Sequence, residues 1–112
     1  MVLFKAVGID KEWHFGTSVI EKNEAIITLD GVECYTETLC QYTTYEDKDK
    51  KKIFVNDRVQ IRMDGLIYNG TVVFQDGRLV VDFDEEAINK YFSRTDLMFW
   101  KKFMVVIGNL HK

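Results

Sequence analysis

The chain has 112 residues, 46% of them hydrophobic and 13% aromatic, with no proline. That is the length of one domain, and the composition is too apolar for a disordered chain. Fifteen basic residues against eighteen acidic ones give a net charge of −3, and neither half concentrates one sign, which argues against a general nucleic-acid binder and leaves room only for a local patch.

No apolar run approaches the ~18 residues of a membrane-spanning helix. The opening Met1-Val2-Leu3-Phe4-Lys5 has neither the basic start nor the apolar stretch of a signal peptide, so a cytoplasmic location is expected. Cys34 and Cys40 are six apart. That spacing fits no common zinc pattern, so they read as structural thiols. No metal and no cofactor is expected.

The dominant pattern is β. Leu3–Ile9 reads as a strand, Asp10-Lys11-Glu12 as a turn, and Trp13–Ile20 as an alternating strand. Ala25–Leu29 and Val32–Tyr35 flank Asp30-Gly31, a strong two-residue hairpin signal, because a type I′ turn needs positive φ at both central positions. Thr36–Leu39 is ambiguous. Gln41–Tyr45 has strand character. Seven charged residues, Glu46–Lys52, follow and read as a solvated loop. Ile53-Phe54 resumes the apolar chain, and Val55-Asn56-Asp57 is a turn.

Arg58–Met63 alternates, Val59, Ile61 and Met63 facing one way and Arg58, Gln60 and Arg62 the other. Asp64-Gly65 and Asp76-Gly77 are further hairpin turns around the long strand Leu66–Phe74, where Gly70 is expected to mark a bulge or bend. Leu79–Phe83 is the partner strand. Residues 84–92 are the helical candidate, with Asp84 as cap and Ala87, Ile88, Tyr91 and Phe92 as one apolar stripe. Ser93–Asp96 ends or redirects it, Leu97–Lys102 is hard to assign, and Phe103–Leu110 is a last strand interrupted at Gly108. The expected fold is mostly β, a small bent antiparallel sheet that closes into a barrel.

The run from Gln41 to Val59 resembles the signature of the YopX family, small proteins of phages and prophages. The family pattern there is Gln-Tyr-Thr-Gly, a charged loop, then Lys-Ile-(Phe/Tyr)-Glu-Gly-Asp-Ile-Val. Gly70–Gly77 resembles the family's Gly-x-Val-x-Phe-x-Asp-Gly hairpin. Val105–Leu110 is similar to its Val-Ile-Gly-Asn-Ile ending, and Phe4-Lys5-Ala6 and Glu12–Gly16 to its opening strands. Thr44-Tyr45 stand where Gly-Leu is usual and Val55-Asn56 where Glu-Gly is usual, which suggests locally different turns. The resemblance implies a single YopX-like domain over 1–112, with an N-terminal β lobe at 1–40 and an SH3-like barrel core at 41–112. It supplies a genome context and a bacterial host cytoplasm more than an activity.

Several side-chain groups invite a functional reading. Asp82, Asp84, Glu85 and Glu86 could converge on a divalent ion, but read more simply as favourable charges at a helix start. Lys48, Lys50, Lys51 and Lys52 are interleaved with Glu46, Asp47 and Asp49, so that loop reads as nearly neutral. Arg58 and Arg62 share a strand face, and with Tyr68 or Tyr45 beside them they would form a candidate nucleic-acid face combining charge with a stacking ring. Arg78 is a further basic candidate. Met98, Phe99, Trp100, Phe103 and Met104 are richer in apolar mass than a small core needs, and form a candidate self-association patch. His14 reads as packing.

No catalytic residue is assigned. The function expected is therefore a non-enzymatic binding or assembly module. Its partner would be a protein, either a second copy of itself or a host factor that it regulates or blocks. Nucleic-acid binding through the basic face is the alternative.

Overall fold

The computed structural model describes residues 2–92 and 96–112; the helix stop expected at Ser93–Asp96 falls mostly outside the described residues. The chain divides into two compact units, residues 1–42 with 111–112, and residues 43–110.

The first unit holds β1 (Phe4–Val7), β2 (Trp13–Gly16), β3 (Val19–Glu21), β4 (Ile26–Leu29), β5 (Val32–Tyr35), a 3-10 turn at Thr36–Thr38 and the start of β6 (Cys40–Glu46). β1 pairs antiparallel with β2 and with β6, and β3-β4-β5 form a second antiparallel sheet. Ala6, Ile27, Leu29 and Cys34 are its core.

The single strand expected over Trp13–Ile20 is broken at Thr17-Ser18. The cause is Asp30, whose carboxylate accepts from Ser18 N at 2.8 Å and from Thr17 N at 3.3 Å, while its own N–H donates to Ser18 O at 2.9 Å. The turn residue of one hairpin thus fixes a corner elsewhere in the sheet. Burial pushes the Cys34 thiol up, with the Asp10 charge acting in the same direction, which holds it as an inert thiol.

The second unit holds the rest of β6, β7 (Lys52–Phe54), β8 (Asp57–Met63), β9 (Leu66–Gln75), β10 (Arg78–Phe83), α1 (Glu86–Phe92), α2 (Leu97–Trp100), a 3-10 turn at Lys101–Phe103 and β11 (Met104–Asn109). Its main sheet is antiparallel in the order β10-β9-β8-β11, and β7 pairs with β6. Ile53, Val59, Ile61, Val72, Val81 and Phe83 pack with Leu97, Trp100 and Met104 as one core.

All three Asp-Gly pairs are tight reversals. Their φ values are +47° and +87° at Asp30-Gly31, +54° and +77° at Asp64-Gly65, and +51° and +78° at Asp76-Gly77. The strands close directly over them, Leu29 opposite Val32, Met63 opposite Leu66 and Gln75 opposite Arg78.

Other expectations need correction. No sheet closes on itself among the described residues. β10 and β11 remain the edges of a four-stranded sheet, and Leu97 and Trp100 of α2 pack in its core together with Ile53 of β7. Gly70 is no bulge, for the ladder runs through Val59, Gly70 and Phe83 without a shift. It is a close approach, since a Cβ there would lie 2.7 Å from Val81 Cγ1 and 2.8 Å from Asp82 O. The irregularity lies at Gly108, where the β11–β8 register shifts.

Thr44 and Asn56 keep left-handed backbone, φ +74° and +75°, at the positions where the family pattern has glycine. The glycine conformation survives there without the glycine.

The charged loop is also not wholly solvated. Asp47 is 5% exposed, and its carboxylate accepts from Asp49 N at 2.8 Å, Lys51 N at 2.9 Å and Val106 N at 3.0 Å. A carboxylate that meets three backbone donors can be buried, and here it ties the loop to β11. Asp57, fully buried, does the same at the next turn. It accepts from Phe54 N at 2.8 Å and Asn109 Nδ2 at 2.9 Å.

Candidate functional site

Residues directly opposite on antiparallel strands project to the same face. Arg58 lies opposite Thr71, Arg62 opposite Ile67, and Tyr68 opposite the buried Ile61. Arg58 and Arg62 therefore occupy the outer face and Tyr68 the core face, so the three do not form the stacking-and-charge surface expected of them. Tyr68 instead meets Phe83 edge-on at 6.1 Å and Phe92 at 6.0 Å.

Arg58 is committed. Its two terminal nitrogens lie 2.7 and 2.6 Å from the Asp84 oxygens, and one also donates to Thr71 Oγ1 at 2.9 Å. That fork holds the Asp84 carboxyl below the usual carboxylate range and the guanidinium above its own ordinary value. Arg78 pairs with Asp96 at 3.3 Å. Arg62 is exposed and donates to Gln60 Oε1 at 2.9 Å.

The acidic cluster is dispersed in the same way. Asp84 faces Arg58, not the helix start, and Asp82 accepts from Asn89 Nδ2 at 3.0 Å. Among the described residues no three metal-type ligands converge. His14 Nε2 sits 2.9 and 3.0 Å from the two Asp10 oxygens. The Asp10 carboxyl is held low first by the Glu12 N–H and then by His14.

The apolar patch divides. Trp100 and Met104 are fully buried and belong to the core, whereas Met98 is 60% and Phe99 45% exposed. Phe103 is half-buried against the core. The four-residue helix α2 causes the split, because its 3.6-residue period turns Leu97 and Trp100 inward and leaves the two residues between them outside.

α1 corrects the expected stripe in turn. Ile88 and Phe92 pack against the core, but Ala87 and Tyr91 face solvent, Tyr91 at 81% exposure, and the buried member is Asn89. Asn89 accepts from Phe83 N at 2.9 Å and donates to Phe83 O at 3.1 Å. Its side-chain amide imitates a neighbouring strand at the end of β10 and so anchors the helix.

These placements produce an arrangement that sequence reasoning missed. Ring contacts run from Tyr91 to Phe92 (5.1 Å), Phe92 to Trp100 (4.8 Å), Trp100 to Phe99 (4.8 Å) and Phe99 to Phe103 (6.1 Å). The chain of rings passes through the core and reaches the surface at Tyr91 and at Phe99. Beside Tyr91 lies a groove of about 560 Å³ lined by Met63, Leu66, Tyr68, Ile88, Tyr91 and Phe92, with Leu66 56% exposed. Asp64, Glu85 and Glu86 are exposed near the groove and the start of α1, and Lys101 and Lys102 follow α2. The available signal was Asn89, a polar residue where a buried helix face should be apolar, which rotates the expected stripe.

The family model of the YopX protein matches residues 1–112. No curated protein and no solved structure matches the chain. The match spans every element from β1 to β11, and the chain belongs to the YopX family.

Proposed function

We propose that this chain is a non-enzymatic association module, encoded by a phage or prophage and acting in the host cytoplasm, whose first partner is a second copy of itself. The open sheet of the second unit is read as part of an SH3-like core, with the aromatic surface beside it as the interface. The observation that carries this is the run of rings from Tyr91 through Phe92 and Trp100 to Phe99, buried in the middle and exposed at both ends.

Aromatic side chains and Met are the groups enriched at the centres of protein interfaces. Beside the rings, the groove at Tyr91 is bordered by Asp64, with Glu85 and Glu86 exposed at the start of α1. Regulation or blocking of a host factor would use the same surface in its uncovered form.

Light scattering after size exclusion, from about 10 µM to 1 mM, tests this. Association that is lost in Tyr91→Ser and in Phe99→Ser, with the urea midpoint of each variant kept, supports it. A clean 13.2 kDa monomer over the whole range removes it.

A further inference from the structure

We infer that the second unit carries a phosphate-backbone binding surface for nucleic acid, built from the charged loop and the turn before β11, none of whose lysines lines the groove beside Tyr91. In sequence the loop is nearly neutral, because Glu46, Asp47 and Asp49 offset three of its four lysines. The fold changes that balance twice. It draws the Asp47 carboxylate out of the surface, where three backbone N–H groups occupy its oxygens and, among the described residues, it pairs with no loop lysine. It also brings a second basic segment alongside, for Lys48 N donates to Met104 O at 3.1 Å, two residues after Lys102, and Lys101 Nζ lies 5.3 Å over the ring of Tyr45, the residue before the loop.

Lys48, Lys50, Lys51 and Lys52 are exposed, as is Lys102. The loop's exposed carboxylates are those of Glu46 and Asp49. Among the described residues, Lys48, Lys50, Lys51, Lys101 and Lys102 enter no ion pair, whereas Arg58 and Arg78 each hold a carboxylate. The loop backbone is fixed by Asp47 and by the Asp47–Lys51 backbone pair at 2.8 Å, so the ammonium groups are carried on an ordered scaffold.

Lysines act as point charges towards phosphates, without base readout, so the ligand class is a nucleic-acid backbone irrespective of sequence. An anionic membrane is the less suitable partner, because no apolar side chain stands between the loop lysines to enter a bilayer.

The test titrates the full chain with a fluorescent single-stranded oligonucleotide, its duplex, and vesicles containing phosphatidylglycerol, at several salt concentrations. With about four phosphates neutralised, single-strand affinity should fall about 50-fold between 50 and 200 mM salt. The double variant Lys48→Ala/Lys51→Ala should bind more weakly and lower the salt slope by about 1.4. Lys102→Ala, on the other segment, should lower it by about 0.7. Tyr91→Ser should bind as the parent chain does, which separates this surface from the self-association reading. The inference is overturned by absence of nucleic-acid binding at 50 mM salt, by a slope unchanged in both lysine variants, or by binding to vesicles alone.

Discussion

Asp47→Ala tests how the structure reads the charged loop. The carboxylate sits at 5% exposure with three N–H donors at 2.8–3.0 Å. The donors are not equivalent. Asp49 and Lys51 are exposed, so their amides can recover water when the acceptor is removed, each at a loss of about 0.5–1 kcal/mol. Val106 is 8% exposed, and its orphaned N–H costs about 1–3 kcal/mol. The expected loss is therefore about 3 kcal/mol, against the roughly 5–15 kcal/mol that holds such a domain together.

In urea, with a slope of about 1.5 kcal/mol/M, the midpoint should fall by about 2 M. Asp47→Asn, which keeps one carbonyl acceptor, should lie between the variant and the parent. A midpoint within about 0.3 M of the parent for Asp47→Ala would refute the reasoning and return the loop to a solvated excursion.

Thr44 is β-branched at φ +74°, a conformation costing about 1–3 kcal/mol. Thr44→Gly should raise stability by about 1 kcal/mol in urea titration, and a loss would contradict the strain. Gly70→Ala places a methyl 2.7 Å from Val81 Cγ1 and 2.8 Å from Asp82 O. It should destabilise by about 2–3 kcal/mol, where a bulge glycine would tolerate it.

The Arg58–Asp84 fork sets a pH dependence. Because the Asp84 carboxyl is lowered in the folded chain, its stabilisation is fully present above the ordinary value of 3.8 and is lost as pH falls through the lower folded value. Both groups are partly exposed, which limits the effect to about 1 kcal/mol or less. Asp84→Asn should flatten the acid limb of the melting profile by that amount, and an unchanged limb would exclude the pair as its source.

Turns and strand faces were legible in the sequence because their chemistry is local. Asp-Gly pairs demand positive φ, and Val59/Ile61 alternate against Arg58/Gln60/Arg62 as a half-buried strand must. What was not legible depends on contacts distant in sequence. Asp47 is buried by a donor 59 residues away, and Arg58 is occupied by a carboxylate 26 residues away. The face of Tyr68 follows from hairpin register, which the Asp64-Gly65 turn already implied. The division of the 98–104 patch needed the helical period of a four-residue helix, too short to show as a pattern. α1 misled because its buried position is an asparagine, satisfied by the backbone of Phe83 and the carboxylate of Asp82.

The aromatic interface is tested most directly by sedimentation equilibrium of the parent chain at about 1 mM beside Tyr91→Ser/Phe99→Ser. A species of twice the 13.2 kDa chain mass in the parent, reduced to monomer in the double variant with its urea midpoint retained, is the predicted result. A parent that sediments as a monomer at every concentration, or a double variant that associates as the parent does, contradicts it.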